Sequence, residues 1–268
     1  MNDFETTLLK LAPESVLSGI PQHLLDIPRE ITERTGIHVQ VLPLGKAPMA
    51  LATGVEPAPL LLDINVVEQS ITILCGQSQP TSAMIGHGLI RLRRAVLESI
   101  PTLVPDFSAP PEIASKISQL ENELENVFVL PEEFSVFPSA KQDWADHYRK
   151  MIQAVASSGS RDVLCIRWAQ IRNSLPEETE IAESLAAHIR SHGDEWVKYS
   201  EILRMAFGLA LKQGVSGKET LQAFVQGACA DLRTHMGTSW LKAENGYLGF
   251  KPFSISGGSF ADKVSAMA

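Results

Sequence analysis

Hydrophobic and polar residues alternate along the chain with two different periods. Apolar residues recur every three or four positions over 13–35, which predicts a helix, and Gly36 then permits a left-handed helix end. Three short runs, 37–44, 59–66 and 69–75, are rich in Val, Ile and Leu and bounded by Pro, Gly or Asn, which is typical of β-strands. The first part of the chain therefore predicts one helix followed by three strands.

The next segment, 81–97, has the period of an amphipathic helix. With successive residues about 100° apart, its apolar side chains form one stripe and its polar side chains form a line on the opposite face. The stripe consists of Ile85, Leu89, Leu92, Val96 and Ile100, and the polar line of His87, Arg91, Arg94 and Glu98. His87 and Arg91 are therefore expected to be neighbours on the polar face.

Helical periodicity continues after a Pro-rich break. A helix is predicted over 112–130, ending at Pro131, with Glu121 close to its apolar stripe and Glu123 and Glu125 pointing further out. Beyond it the pattern predicts helices, and an Asn-Gly turn predicts a hairpin over 239–253. The helices are expected over 139–157, 160–173, 176–192, 194–213 and 217–235.

Composition narrows the classes of function. The net charge of -8 and pI near 5.4 disfavour nucleic acid as the main partner, because phosphate binding requires a basic surface. Three widely separated cysteines, Cys75, Cys165 and Cys229, indicate buried thiols in a reducing compartment rather than disulfides. No apolar run approaches the roughly eighteen residues of a membrane span, and no signal peptide is expected. These features predict a cytoplasmic protein without a membrane partner.

The second predicted helix, 81–97, invites comparison with a zinc site. In the H-E-x-x-H helix of a zinc hydrolase, two imidazoles one turn apart bind the ion and a glutamate takes a proton from its water. This chain has "GHGLIRLRR" at 86–94, so His87 stands at the first position of that motif, Gly88 at the glutamate and Arg91 at the second histidine.

The order of elements and two sequence phrases resemble the zincin core of the ImmA/IrrE family of H-E-x-x-H metallopeptidases. The phrases are "GHGLIRLRR" and "LENELENVFVLP" (120–131), and the resemblance covers about residues 14 to 133. It implies an α+β fold: a zincin-like unit over 1–135, with a helix, a three-stranded sheet and an active-site-type helix, followed by a helical unit over 136–268. It also implies that His87 matches the first zinc ligand and Glu121 the third, in a protein of bacterial or phage origin.

Two departures from this family's motif argue against catalysis. Gly88 has no side chain to act as a general base, and the Arg91 guanidinium stays protonated and has no lone pair for a metal. In a zincin core the helix with the third ligand faces the first helix, so we expect an Arg91–Glu121 ion pair in place of the metal. The alternative is that Arg91, Arg94 and Glu98 form a solvated, charge-paired face.

Two further histidine arrangements are candidates for metal binding. His147 could complete a zinc set with His87 and Glu121 if the protein is a hydrolase. His188 and His192 lie four residues apart, as two imidazole ligands on one helix require, although a core-edge position and a helix end also explain them.

The sequence therefore predicts a non-catalytic relative of metallopeptidases that needs no cofactor and binds a protein or small-molecule partner in regulation. An active zinc-dependent peptidase or hydrolase is the second possibility. A helical module for interaction or homo-oligomerisation is the third.

Overall fold

The computed structural model describes residues 4–6, 8, 14–43, 60–65, 70–75, 80–98, 100, 102–105, 111–155, 161–214 and 248–251. Their contacts divide the chain into two compact units. The first contains the described residues up to Glu98, and the second contains those from Ile100 to Lys251. This boundary precedes the predicted one at 135/136, so the long helix after the Pro-rich break belongs to the second unit.

The described part of the first unit combines helices with a small sheet. Its elements are α1 (Glu14–Ser18), α2 (Gln22–Thr35), β1 (His38–Pro43), β2 (Leu60–Asn65), β3 (Ser70–Cys75), α3 (Ser82–Leu92) and a π-helical segment (Arg93–Leu97). The single helix predicted over 13–35 is wrong as to continuity, because the chain leaves the helical path after Ser18 and Pro21, which has an extended conformation, precedes α2. Its predicted end is confirmed, since Gly36 has a φ of 71° and donates its N–H to the Thr32 carbonyl oxygen at 2.8 Å.

The strands of the first unit pair in the order β1-β3-β2. β1 is parallel to β3, with His38 opposite Ser70, and β2 is antiparallel to β3, with Leu60 opposite Cys75. Alternate residues of β1 and β3 are buried, as expected when one face of a sheet covers a core. They are Val39, Val41, Ile71 and Ile73.

The described part of the second unit is almost entirely helical. Its elements are β4 (Thr102–Pro105), α4 (Pro111–Val136), α5 (Ala140–Val155), α6 (Arg161–Ser174), α7 (Thr179–Arg190), α8 (Asp194–Gln213) and β5 (Leu248–Lys251). Helix α6 packs against α4, α7 and α8 and so forms the centre of this unit. Its core side chains include Leu164, Ile171, Leu185, Leu203 and Phe207.

Helix α4 does not end at Pro131, as the sequence predicts, but continues to Val136. A proline inside a helix removes one backbone hydrogen bond and crowds the preceding turn. Pro131 itself is exposed, whereas Leu130 and Phe134 on either side of it are buried. Burial of the flanking side chains therefore outweighs the local preference of proline for a helix end.

The predicted C-terminal hairpin over 239–253 is described only in part. Leu248–Lys251 forms β5, which pairs antiparallel with β4, with Thr102 opposite Lys251. The rest of the hairpin and the predicted helix over 217–235 lie outside the described residues.

The predicted fold class, an α+β protein with a zincin-like unit, is wrong for the described part of the chain. Most of its residues are helical, and its strands are short and confined to one three-stranded sheet and the β4–β5 pair. Three strand-like runs favour an α+β class on local pattern alone, but the helices that pack around α6 dominate the structure. Among the described helices, none is long and apolar enough to cross a bilayer.

Candidate functional site

Helix α3, which contains the degenerate zinc motif, is stabilised by an N-terminal cap and by packing within its unit. The Thr81 hydroxyl oxygen accepts a hydrogen bond from the Met84 backbone N–H at 3.2 Å, which caps the helix. The helix contacts α2, β2 and β3. The residues of its predicted apolar stripe that lie in α3, Ile85, Leu89 and Leu92, are buried, but His87 and Ile90 outside the stripe are buried as well.

The polar line of the 81–97 segment is shielded from solvent except at Glu98, which is exposed. His87 is only 5% exposed, Arg94 is also buried, and Arg91 is half-buried. His87 is therefore shielded from solvent although the helical wheel places it opposite the apolar stripe. The alternative of a solvated, charge-paired surface is wrong for Arg94, since α3 is covered around most of its circumference.

The end of α3 explains part of this difference. The Glu98 backbone N–H donates to the Arg93 carbonyl oxygen five residues earlier, at 2.9 Å, and so closes a π-helical turn. Such a turn is wider than an α-helical turn, so a spacing of about 100° per residue no longer applies beyond Arg93. Glu98 instead pairs with Arg93, with a distance of 2.8 Å between Nε and Oε1.

Acidic side chains of α4 in the second unit are buried together. The sequence places Glu121 near the core and Glu123 and Glu125 further out, and the latter part is wrong because all three are less than a tenth exposed. The reason is that α4 contacts β4, α5, α6 and α8, so it has no single solvent-facing side over this stretch.

One of these carboxylates organises a polar network within the second unit. Glu123 Oε1 accepts a hydrogen bond from Arg167 Nε at 2.8 Å, and its backbone carbonyl accepts one from the Gln170 side-chain amide. Gln170 Oε1 in turn accepts a hydrogen bond from the Tyr148 hydroxyl at 3.3 Å. These four residues, the Glu123 network, join α4, α5 and α6.

The electrostatics of the Glu123 network suit a structural role. Burial raises the pKa of the Tyr148 hydroxyl well above its usual range, and the nearby Glu123 carboxylate raises it further. Tyr148 therefore stays neutral, and Glu123 is paired with a cation. Close by, Glu133 Oε2 accepts a hydrogen bond from Trp144 Nε1 at 3.1 Å, which adds a second link between α4 and α5.

The structure places the predicted zinc-type residues in both units. His87, Gly88 and Arg91 belong to the first unit, whereas Glu121 and His147 belong to the second. The Arg91–Glu121 ion pair stays a prediction. His147 lies beside two aromatic rings that also contact each other, with its centroid 5.7 Å from that of Trp144 and 5.9 Å from that of Tyr148.

Within the described residues, no three His, Cys, Asp or Glu side chains are grouped so that they could hold a metal ion. The alternative zinc set of His87, Glu121 and His147 draws on both units and stays a prediction. His188 and His192 do lie together at the end of α7, where their ring centroids are 5.4 Å apart and their planes are nearly perpendicular, at 88°.

Helix α8 has two apolar faces, and the described residues bury only one of them. Trp196, Leu203 and Phe207 are buried, but Ile202, Met205 and Leu209 on the opposite side are 43%, 58% and 53% exposed. These three side chains, the α8 stripe, fall within an arc of about 60° around the helix. The large exposed hydrophobic residues of the described chain all lie here, whereas exposed apolar side chains of ordinary surfaces are scattered.

Lysine residues extend this line at both ends. Lys198 precedes the α8 stripe by one turn and Lys212 follows it, and both are exposed. Within the described residues neither lysine forms an ion pair. The α8 stripe is therefore flanked along the helix by two positive charges, with the partly exposed Glu201–Arg204 pair beside it.

Our sequence reasoning missed both the Glu123 network and the α8 stripe. A signal for the stripe is present in the sequence, because 194–213 has apolar residues on two opposite faces at helical spacing. A helix that packs against its own protein on one side needs apolar residues on that side only. No comparable signal marks the network, since a buried Glu–Arg pair between helices has no fixed spacing along the chain.

The peptidase resemblance depends on His87 and its neighbours, of which Gly88 and Arg91 depart from the motif. The structure adds burial of His87 and of three α4 carboxylates to that picture. The chain matches no protein family, no curated protein and no solved structure with which it was compared.

Proposed function

We propose that this chain is a non-catalytic regulatory protein of the cytoplasm that binds another protein through the α8 stripe. The observation that carries the proposal is the concentration of exposed large hydrophobic side chains on one line of one helix. Contiguous exposed apolar surface is costly in water and commonly marks an interaction site. Cys165, a buried thiol near the Trp196 carbonyl oxygen, fits a reducing compartment.

The shape of the surface favours a protein over a small molecule. Small-molecule sites are concave and surround most of the ligand. Ile202, Met205 and Leu209 instead project from the outer side of a helix, where a second helix or a groove can pack against them.

The flanking charges favour a different protein over a second copy of this chain. If two α8 helices packed antiparallel about Met205, Lys198 of one copy would face Lys212 of the other. In a parallel pair each lysine would face its own equivalent. Because like charges at an interface are unfavourable, we expect a partner with apolar residues between acidic ones.

The size of the α8 stripe limits the binding free energy that it can contribute. Burying a large apolar side chain completely contributes about 1.5–3 kcal/mol, so covering three that are roughly half exposed contributes about 3 kcal/mol in all. A micromolar complex requires about 8 kcal/mol. The partner must therefore contact further surface of the protein, with the α8 stripe at the centre of the interface.

The non-catalytic part of the proposal is supported by the degenerate motif. Gly88 offers no proton acceptor, Arg91 offers no metal ligand, and the described residues contain no group of three metal-binding side chains. A peptidase would need another base and another ligand set.

Site-specific crosslinking tests the proposed interface. A photoreactive phenylalanine analogue is placed at Met205, and at Glu183 on the exposed side of α7 as a matched control in the same unit. Both proteins are irradiated in the cells that naturally produce the chain, and crosslinked peptides are sequenced by mass spectrometry.

The proposal expects one different protein to be crosslinked from position 205 and not from 183. The captured peptide should contain apolar residues next to acidic ones, and charge reversal at both lysines (K198E and K212E) should abolish the crosslink. Crosslinks only between copies of this chain would support the oligomerisation module instead. Identical products from both positions would also contradict the proposal.

A further inference from the structure

The α7–α8 turn brings two imidazoles together on the surface. His188 lies in the last turn of α7, and the helical path continues through the turn because the His192 backbone N–H donates to the Ile189 carbonyl oxygen at 3.0 Å. Residues four apart on such a path lie on the same side. His188 is half-buried and His192 is exposed, so a solvated ion can reach both rings.

The distance between the rings fits two ligands of one metal ion. An imidazole nitrogen binds Zn²⁺ at about 2.0–2.1 Å, which places each ring centroid about 3.2 Å from the ion. At a tetrahedral angle between the two nitrogens, the centroids would be about 5.2 Å apart. The observed separation of His188 and His192 is 5.4 Å.

The surroundings of the pair favour a cation. The carbonyl groups at the C-terminal end of α7 carry partial negative charge, which stabilises positive charge in the last turn. Arg190 is two residues from each histidine and so projects from another side of the helix, where its Nε lies 3.8 Å from Asp194 Oδ1. The Glu195 carboxylate folds back over Gly193, so closely that a Cβ atom there would collide with it.

We propose that His188 and His192 form a bidentate surface site for a divalent transition-metal ion such as Cu²⁺, Ni²⁺ or Zn²⁺, with water as the other ligands. Because the described residues offer no third side-chain ligand in a group, the ion exchanges with solvent rather than supporting the fold. Cu²⁺ binds most tightly, as it does at nitrogen sites in general. This site is independent of the α8 stripe and of the degenerate motif on α3.

Copper titration of the untagged full-length protein tests the site. Binding of Cu²⁺ is measured by calorimetry for the wild type and for H188A and H192A. H23A removes an exposed histidine of α2 and serves as the control. Electron paramagnetic resonance of the copper complex counts the nitrogen ligands, and circular dichroism establishes that each variant is folded.

The proposal expects one tight site per chain with two nitrogen ligands. Either alanine substitution at the pair should weaken it at least about tenfold, since the second ligand no longer acts at high effective concentration. H23A should bind as the wild type does. Equal affinity of all four proteins, or a copper signal with one nitrogen ligand, would overturn the proposal and show weak binding to separate histidines.

Discussion

Replacing Glu123 with Gln should destabilise the second unit strongly. Arg167 Nε lies 2.8 Å from Glu123 Oε1, and the two side chains are 17% and 9% exposed. Removing one partner of a buried ion pair typically costs about 3–5 kcal/mol, because the other charge stays buried. Glutamine retains an oxygen for the Arg167 N–H, so we expect a loss near the lower limit, about 3 kcal/mol.

Urea unfolding followed by tryptophan fluorescence measures this loss. Trp144, Trp168 and Trp196 lie in α5, α6 and α8, so the signal reports on the second unit. The matched control is E201Q, which breaks a pair of similar length on α8, with 2.7 Å between Arg204 Nε and Glu201 Oε2.

Burial distinguishes the two pairs, since the side chains of Arg204 and Glu201 are 39% and 47% exposed. An exposed pair contributes about 0.2–1 kcal/mol at most. If E123Q lowered the free energy of unfolding no more than E201Q does, the claim that the Glu123 network stabilises the second unit would be refuted. The double variant R167M/E123L should be less destabilised than either single variant, because it leaves no unpaired buried charge.

Three further predictions concern single groups. Y148F should lose about 1 kcal/mol with the hydrogen bond to Gln170. Because the folded-state pKa of Tyr148 is raised, the stability that its neutral hydroxyl contributes is present below the unfolded pKa of about 10 and is lost as pH rises towards the folded pKa. The free energy of unfolding in urea should therefore decrease less steeply from pH 9 to 11 for Y148F than for the wild type. The pKa of Glu177 should lie below its usual value by NMR titration, chiefly because its own backbone N–H donates to the carboxylate and secondarily because of Lys141, so K141M should raise it only in part. The stability that the Glu177 carboxylate contributes is present above its unfolded-state pKa and is lost as pH falls through its folded-state pKa. T81A should destabilise α3 by about 1 kcal/mol, seen as faster amide hydrogen exchange in that helix, whereas T81S should preserve the cap.

Local signals in the sequence predict several elements of the fold correctly. Gly36 ends α2 as expected, since only a residue tolerant of a left-handed conformation suits that position. Ile85, Leu89 and Leu92 of α3 are buried as the helical period predicts. These features depend on residues close together in the chain, and so the sequence pattern is sufficient to find them.

Features set by packing between distant segments are not predicted. Pro131 favours a helix end locally, yet α4 continues because its neighbours are buried. A helical wheel places Glu123 on the solvent side, but in the structure an ion pair with Arg167 of α6 offsets the cost of burying its charge. The predicted α+β class is wrong for a related reason, since strand-like runs in the sequence carry no information about how many helices pack beside them.

The affinity of the captured partner for the wild type and for M205D tests the central claim most directly. A carboxylate in the middle of the α8 stripe would remove apolar contact and place a charge in the interface. By isothermal titration calorimetry at constant salt, we predict binding at least about tenfold weaker, a change of 1.4 kcal/mol or more. Equal affinity of folded M205D and wild type would show that the partner binds elsewhere.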